Sequence, residues 1–214
     1  MENNISKIAG FTGYLPSIDR ILVVFRGTYD DINWIEDASF KQVGFSSCAD
    51  CKVHEGFYLS YLSVAPYLLN SLENIIKEHP ESPLIVTGCS LGGALATIAA
   101  IELQLKYNKV EQLHTSGSPR VGNLNLAKFI YARIPQSYRV VHNRDIVPHL
   151  PLMSQNYHHV PREYFFDEHM QSYAGCDETG EDSSCSNKFY PNYNTQDHLT
   201  YWYSFDLPKY CGKK

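Results

Sequence analysis

Apolar residues follow two patterns that alternate along the chain. Short, continuous apolar runs rich in β-branched residues predict strands buried on both faces. They occupy residues 20–26, 84–87, 113–118 and 138–142. Apolar residues with helical spacing, or segments of helix-forming composition, predict helices over residues 30–37, 56–79, 94–107 and 123–134. Strands that alternate with helices predict an α/β fold with a mostly parallel central sheet and helices on both faces.

The remaining segments lack such patterns. Residues 40–54 contain turn-forming residues and are predicted as a loop. Beyond Asp145 the pattern weakens into loops, with short strands expected near residues 157–166. Within the helix predicted over 56–79, Pro66 should kink or divide the helix because proline lacks the backbone donor.

The size and charge of the chain exclude several classes of protein. The 214 residues carry a formal net charge of -5, whereas proteins that bind nucleic acids usually present a basic face. The longest apolar runs are far shorter than the roughly 20 residues that cross a bilayer. We therefore expect residues 1–214 to form one domain that has no transmembrane segment. The polar start, Met1 to Asn4, does not have the basic and then apolar pattern of a secretory signal. The sequence therefore predicts either an intracellular protein or a secreted one whose signal was removed.

Two cysteines, Cys48 and Cys51, are separated by only two residues. The spacing fits a disulfide, a redox pair or half of a zinc site. A zinc site needs a second pair of ligands, and the nine-residue spacing of Cys176 and Cys185 does not supply one cleanly. We favour a disulfide, and with it an oxidising compartment.

The segment Gly88-Cys89-Ser90-Leu91-Gly92 fits the pattern G-x-S-x-G. It directly follows a predicted strand and directly precedes a predicted helix, which is the setting of a nucleophile elbow. The turn holds the serine in a strained conformation and requires small residues at 88 and 92. Ser90 is therefore the candidate nucleophile, and the alternative is a serine that only caps the helix.

A serine hydroxyl needs a base to take its proton and a carboxylate to orient that base. In an α/β-hydrolase the acid follows the serine along the chain, and the base follows the acid. Asp145 comes just after the strand predicted over 138–142, so it is the candidate acid, with Asp167 and Asp177 as rivals. By position, the candidate base is His198. Other histidines follow Asp145 and remain open alternatives: His149, His158, His159 and His169.

Acyl transfer also needs donors for a developing oxyanion. The backbone N–H of Leu91 lies at the start of a predicted helix, where amides lack partners and the helix dipole favours negative charge. A second donor should come from a loop after an earlier strand. Thr28 is placed there and offers both an amide and a hydroxyl.

Seven stretches together resemble the fungal-type class 3 lipases, whose relatives include feruloyl esterases. In order along the chain they are residues 23–28, 33–37, 53–57, 86–96, 117–123, 143–151 and 198–201. The resemblance implies an α/β-hydrolase fold, a triad of Ser90, Asp145 and His198, and an oxyanion hole formed by Thr28 and Leu91. It also implies a short helical lid over residues 29–37. There, Ile32 and Ile35 share a face and Trp34 lies beside them, so such a helix can cover an apolar pocket or face a lipid surface.

The resemblance also bears on the cysteines and the N-terminus. Disulfides known in relatives match the pairs Cys48–Cys51 and Cys176–Cys185. Family members usually carry an N-terminal helix and a further strand, most of which we expect this chain to lack, and that leaves Cys211 without an evident partner. Cys89 stands where the family commonly has histidine, and we expect this change to alter packing rather than abolish catalysis.

These features predict a carboxylic ester hydrolase, first of all a triacylglycerol lipase that acts by Ser-His-Asp acyl transfer. A feruloyl esterase is an alternative, because residues 48–54 resemble that branch, and phospholipase A1 activity is a third option. A lipid-binding pseudoenzyme is the alternative outside the enzymes. No metal or organic cofactor is implied. We expect a secreted or secretory, lysosome-like location, a monomer, and transient contact with a lipid–water interface.

Overall fold

The computed structural model describes residues 2–3, 8–27 and 40–201. These residues contain an eight-stranded sheet and a separate two-stranded hairpin. The strands of the large sheet are β1 (Glu2–Asn3), β2 (Ile8–Leu15), β3 (Arg20–Phe25), β6 (Leu84–Cys89), β7 (Val110–Ser116), β8 (Ser137–His142), β9 (Glu163–Phe166) and β10 (Tyr173–Gly175). The hairpin consists of β4 (Gln42–Gly44) and β5 (Lys52–His54).

The strand order in the large sheet is β1-β2-β3-β6-β7-β8-β9-β10. The five strands from β3 to β9 are parallel to one another, and the pairs β1–β2, β2–β3 and β9–β10 are antiparallel. The predicted mostly parallel sheet is therefore confirmed. Fully buried residues alternate with partly buried ones along β3 and β6. One face of each strand is therefore fully buried and the other only partly, whereas the sequence predicted burial on both faces.

Within residues 40–201, three α-helices pack with these strands: α1 (Glu55–Glu78), α2 (Leu91–Tyr107) and α3 (Leu124–Tyr131). Helix α2 lies against β3, β6 and β7 and against α1. It is buried over most of its length because its sequence is rich in alanine, leucine and isoleucine. This packing fixes the first turn of α2 at the carboxyl end of β6, in the middle of the sheet.

The prediction of a loop over residues 40–54 is only partly correct, because two short strands, β4 and β5, lie within this segment. The structure forms the β4–β5 hairpin there, with Val43 opposite Val53. Each strand has only three residues, too few to show an alternating pattern in the sequence. The next residue along the chain from β5 begins α1, and His54 caps that helix by accepting a hydrogen bond from the Phe57 amide at Nδ1.

Two further elements differ from the prediction. Strand β2 was not predicted, because glycine at positions 10 and 13 weakens its pattern, yet it pairs with β3 from Gly10 to Leu15. Helix α1 runs without a break from Glu55 to Glu78, so of the two effects predicted for Pro66, a kink or a division, the division does not occur. Pro66 is exposed, so water can satisfy the carbonyl that loses its intrahelical bond. Among the helices described here, none is both long and apolar enough to cross a membrane.

Candidate active site

Ser90 is the single residue between β6 and α2. Its backbone has φ 55° and ψ -129°, a conformation that L residues rarely adopt. A Cβ atom on Gly88 would lie 2.1 Å from the Gly92 carbonyl oxygen, and one on Gly92 would lie 2.5 Å from the Phe25 carbonyl oxygen. Only glycine fits at these two positions. The Ser90 side chain makes no capping bond to the helix, which speaks against the capping alternative.

The Ser90 hydroxyl lies beside the imidazole of His198. Nε2 of His198 is 2.8 Å from Oγ of Ser90, although the two residues are 108 positions apart in sequence. The other ring nitrogen, Nδ1, is 2.9 Å from Oδ2 of Asp145. All three side chains are buried. The structure therefore brings together the three residues that the sequence predicts as nucleophile, base and acid.

Asp145 occupies the turn that follows β8. Its carboxylate is fully buried, and Oδ1 accepts a hydrogen bond of 2.9 Å from the Val147 amide. This bond fixes the side chain in the turn and leaves Oδ2 directed toward His198. One carboxylate oxygen therefore serves the local turn, and the other serves the imidazole.

Tyr201 is a fourth member of this group, and sequence reasoning assigned it no role. Its hydroxyl donates a hydrogen bond of 2.6 Å to Oδ2 of Asp145. Burial, and then the Asp145 charge, raise the pKa of Tyr201 far above its usual value, so the phenol stays protonated as a donor. A buried tyrosine usually finds a hydrogen-bond partner. The position of Tyr201, three residues after His198, does not reveal that this partner is the Asp145 carboxylate.

The rival acids and bases lie in other environments. Asp167 accepts bonds from the His169 and Gln171 amides within its own exposed turn, and Asp177 likewise accepts from Thr179. The other histidines are also engaged elsewhere or exposed: Nδ1 of His149 contacts Asn187, His158 and His159 contact backbone carbonyls, and His169 is exposed.

The predicted oxyanion donors and lid are only partly described. Leu91 is the first residue of α2, so its amide is one of the N-terminal amides that have no partner within the helix. Thr28, and the lid residues Ile32, Trp34 and Ile35, lie outside the described residues.

Both predicted disulfides are present. Cys48 is joined to Cys51, and Cys176 to Cys185, so the first pair is neither a redox dithiol nor a zinc ligand pair in this state. Cys89 is a free thiol, and burial raises its pKa to about 12. A neutral thiol of this kind is a poor nucleophile, so Cys89 does not compete with Ser90. Cys211 lies outside the described residues.

One group of metal-ligating type occurs among the described residues, formed by Glu163, Cys176 and Cys185. The two sulfur atoms are bonded to each other. The Glu163 carboxylate accepts hydrogen bonds from the Ser186 amide and from Arg139. Because these atoms already bond to other groups, they do not indicate a metal site.

Comparisons with known proteins agree with this geometry. The family model for Lipase (class 3) matches residues 22–155, more than half of the chain. The chain is 36% identical over 164 residues to the secreted mono- and diacylglycerol lipase A of Penicillium cyclopium, covering 77% of this chain and 53% of the relative. It is 35% identical over 187 residues to a lipase of Rhizomucor miehei, covering 85% and 52%. The chain thus spans about half the length of these curated relatives.

Solved structures give the same result for the fold. Lipase II from Rhizopus niveus superimposes with a TM-score of 0.90 at 31% identity, covering 94% of this chain and 78% of that one. A triacylglycerol lipase, whose catalytic centre is described as a serine protease triad, superimposes with a TM-score of 0.88 at 33% identity, with the same coverage. The predicted α/β-hydrolase fold is confirmed by this likeness. With the family model matching more than half of its length, the chain belongs to the class 3 lipase family.

Proposed function

We propose that this protein is a carboxylic ester hydrolase, and specifically a triacylglycerol lipase, that uses Ser90, His198 and Asp145 as its catalytic triad. The observation that carries the proposal is the continuous hydrogen-bonded chain from Ser90 Oγ through His198 to Asp145, with contacts of 2.8 and 2.9 Å. A serine adjacent to a buried, oriented imidazole is the arrangement that activates a hydroxyl for acyl transfer.

In the proposed reaction, His198 takes the proton of Ser90 as Oγ attacks the ester carbonyl. Asp145 holds the imidazole and stabilises the positive charge that forms on it. The Leu91 amide donates to the oxyanion, and we assign the second donor to Thr28. His198 then gives its proton to the leaving alcohol, and a water molecule repeats the cycle to release the acid.

The choice of lipid esters as substrates draws on the relatives. Both a secreted mono- and diacylglycerol lipase and a triacylglycerol lipase are similar to this chain. Apolar side chains that follow Asp145 and His198 along the chain are open to solvent: Leu150 is partly exposed, and Leu152, Met153 and Leu199 are exposed. We propose that Ile32, Trp34 and Ile35 form a lid that contacts the lipid–water interface transiently. We also propose one domain over residues 1–214, a monomer, and an extracellular location, since relatives are named as secreted.

A substrate panel tests the proposal. The purified protein is assayed on a tributyrin emulsion, on phosphatidylcholine vesicles and on methyl ferulate, beside Ser90→Ala and a control, Ser60→Ala on α1. We expect the highest rate on the emulsion, a loss of about 10⁴-fold or more in Ser90→Ala, and a normal rate in the control. A fluorophosphonate probe should label the wild type and the control only.

Other outcomes select other functions. A highest rate on methyl ferulate would identify a feruloyl esterase, and a highest rate on the vesicles a phospholipase. Failure of the wild-type protein to hydrolyse any ester or to react with the probe would favour a lipid-binding pseudoenzyme and would end the proposal.

A further inference from the structure

His198 is carried by a short, exposed segment. It lies in the one-turn 3-10 helix Asp197–Leu199, and its neighbours Gln196 and Leu199 are exposed while its own side chain is buried. A segment with so few buried contacts has little packing to fix its position. Catalysis by an imidazole nevertheless requires placement to within a fraction of an ångström. Some other interaction must hold this segment against the sheet.

The Asp197 side chain supplies three such bonds. Its Oδ2 accepts hydrogen bonds from Nδ2 of Asn143 at 2.9 Å, from the Arg144 amide at 3.0 Å and from Nδ2 of Asn194 at 2.9 Å. Bonds to an ionised carboxylate are stronger than bonds between neutral groups. Two of the three donors belong to the residues immediately before Asp145. The carboxylate therefore joins the turn that carries the acid to the turn that carries the base.

The backbone of Asp197 adds to the same connection. Its amide donates to Oδ1 of Asn194 at 2.8 Å, and its carbonyl oxygen lies 2.9 Å from Nδ1 of His142, at the end of β8. Asn194 is itself tied to the acid turn, since its amide donates to the Arg144 carbonyl and its carbonyl accepts from the Ile146 amide. The polar groups of Asp197 thus contact both the segment around Asp145 and the segment that carries His198.

The backbone conformation of Asn143 suits its contact with Asp197. Its backbone has φ 41°, in the left-handed region that asparagine tolerates better than most residues. The residue holds this conformation with its side-chain amide bonded to Asp197 and its backbone amide bonded to the Phe166 carbonyl.

We infer that Asp197 is a positioning residue for the proposed ester hydrolysis, which holds His198 in register with Asp145 and Ser90. The inference rests on the proposed function. Asp197 contacts none of the reacting atoms and acts through the position of the imidazole. Its removal should therefore reduce the rate of the chemical step more than substrate binding.

The test measures kcat and KM on p-nitrophenyl butyrate, a soluble ester that needs no lipid interface. Asp197→Ala should lower kcat roughly 10- to 100-fold, the scale expected for a misplacement of about 1 Å, with KM within about twofold of wild type. Asp197→Asn keeps one acceptor oxygen and should recover part of the rate. The matched control is Asp182→Ala, since Asp182 also accepts three bonds, from Asp177 and Ser184, within an exposed turn.

A second variant keeps the inference testable if Asp197→Ala folds poorly. Asn143→Gly permits the same backbone conformation and removes one donor, so it should lower kcat by a few fold. Combined with Asp197→Ala, it should cause no further loss, because both changes break the same contact. The inference fails if Asp197→Ala retains kcat within twofold, if the loss lies in KM, or if the two changes are additive. Inactivity of the wild type would instead refute the proposed function, and the inference with it.

Discussion

Two buried polar clusters among residues 40–201 balance charge in different ways. The triad cluster consists of Ser90, Asp145, His198 and Tyr201. The second, the arginine cluster, consists of Arg120, Arg139, Glu163 and Glu181, with His149 and His159 against it. In the arginine cluster each carboxylate faces a guanidinium: Arg120 binds both oxygens of Glu181 at 2.7 Å, and Arg139 lies 3.2 Å from Glu163.

The two arginines and two glutamates of this cluster bond to one another and to nearby backbone, whereas the buried Nε2 of His149 has no hydrogen-bond partner among the described residues. Arg120 also donates to the His149 and Pro151 carbonyls, and Glu181 accepts from the His159 amide. Burial would raise the pKa of Glu181, but the bonds from Arg120 and the nearby positive charges hold it well below its usual range. This network connects loops from distant parts of the chain, since Arg120 and Glu181 are 61 residues apart.

In the triad cluster the described bonds to the Asp145 carboxylate come from a phenol, a backbone amide and an imidazole. The first two are neutral, so the fully buried negative charge is not matched by a fixed cation among these partners. An imidazole that takes a proton beside this carboxylate gains stabilisation at that moment. The fully paired charges of the arginine cluster therefore stabilise the fold, whereas the incompletely paired Asp145 beside Ser90 and His198 supports catalysis.

The largest expected effect that separates the clusters is on stability. Glu181→Gln leaves the buried Arg120 guanidinium without its counter-charge and should lower the free energy of unfolding by about 3–5 kcal/mol. The matched control is Glu178→Gln, whose carboxylate pairs with Arg162 at the exposed end of the same loop and should cost about 1 kcal/mol or less. Urea unfolding measures both. A small loss in Glu181→Gln, or a fall in kcat of the folded enzyme, would contradict the division of roles.

A second effect concerns pH. Burial, and then the charge of Arg120, lower the pKa of His149 to about 3, whereas an unfolded histidine titrates near 6.5. Between these values the unfolded chain binds a proton that the folded ring does not, so stability falls as pH drops below about 6.5. His149→Gln should remove this contribution, which amounts to about 2 kcal/mol at pH 5.

Unfolding free energies of the wild type and His149→Gln, measured from pH 8 to pH 4.5, test this expectation. The difference between the two proteins should be constant above pH 7, where the ring is neutral in both states, and should shift in favour of the variant at lower pH. Parallel curves over the whole range would show that His149 does not contribute to acid destabilisation.

The smallest expected effect is on catalysis. Tyr201→Phe removes one hydrogen bond from Asp145 without removing the ring, and should lower kcat about tenfold with little change in KM, the equivalent of about 1.4 kcal/mol. Tyr157→Phe is the matched control, since this buried tyrosine donates to the Phe40 carbonyl instead. Hydrolysis of p-nitrophenyl butyrate reports both variants. Equal rates for the wild type and Tyr201→Phe would show that the phenol serves only packing.

The sequence by itself determined the elements whose geometry is local. The turn between β6 and α2 follows from five adjacent residues, because glycine is needed at 88 and 92 and the flanking patterns end on either side of Ser90. Four of the parallel strands were also predictable from local sequence, because a short run of apolar residues indicates a buried strand. Short or glycine-containing strands such as β2 and β4 escaped prediction because their pairing partners, not their own residues, make them strands.

Only the tertiary structure decided which side chains meet. Several histidines follow Asp145, and sequence order could favour His198 over His149 or His159 but could not measure a distance across 53 or 108 residues of chain. The bonds from Tyr201 to Asp145, and from Asn143 to Asp197, join residues more than 50 positions apart. Hydrogen bonds form only within about 3 Å, and packing of the whole sheet, rather than any local pattern, sets separations on that scale.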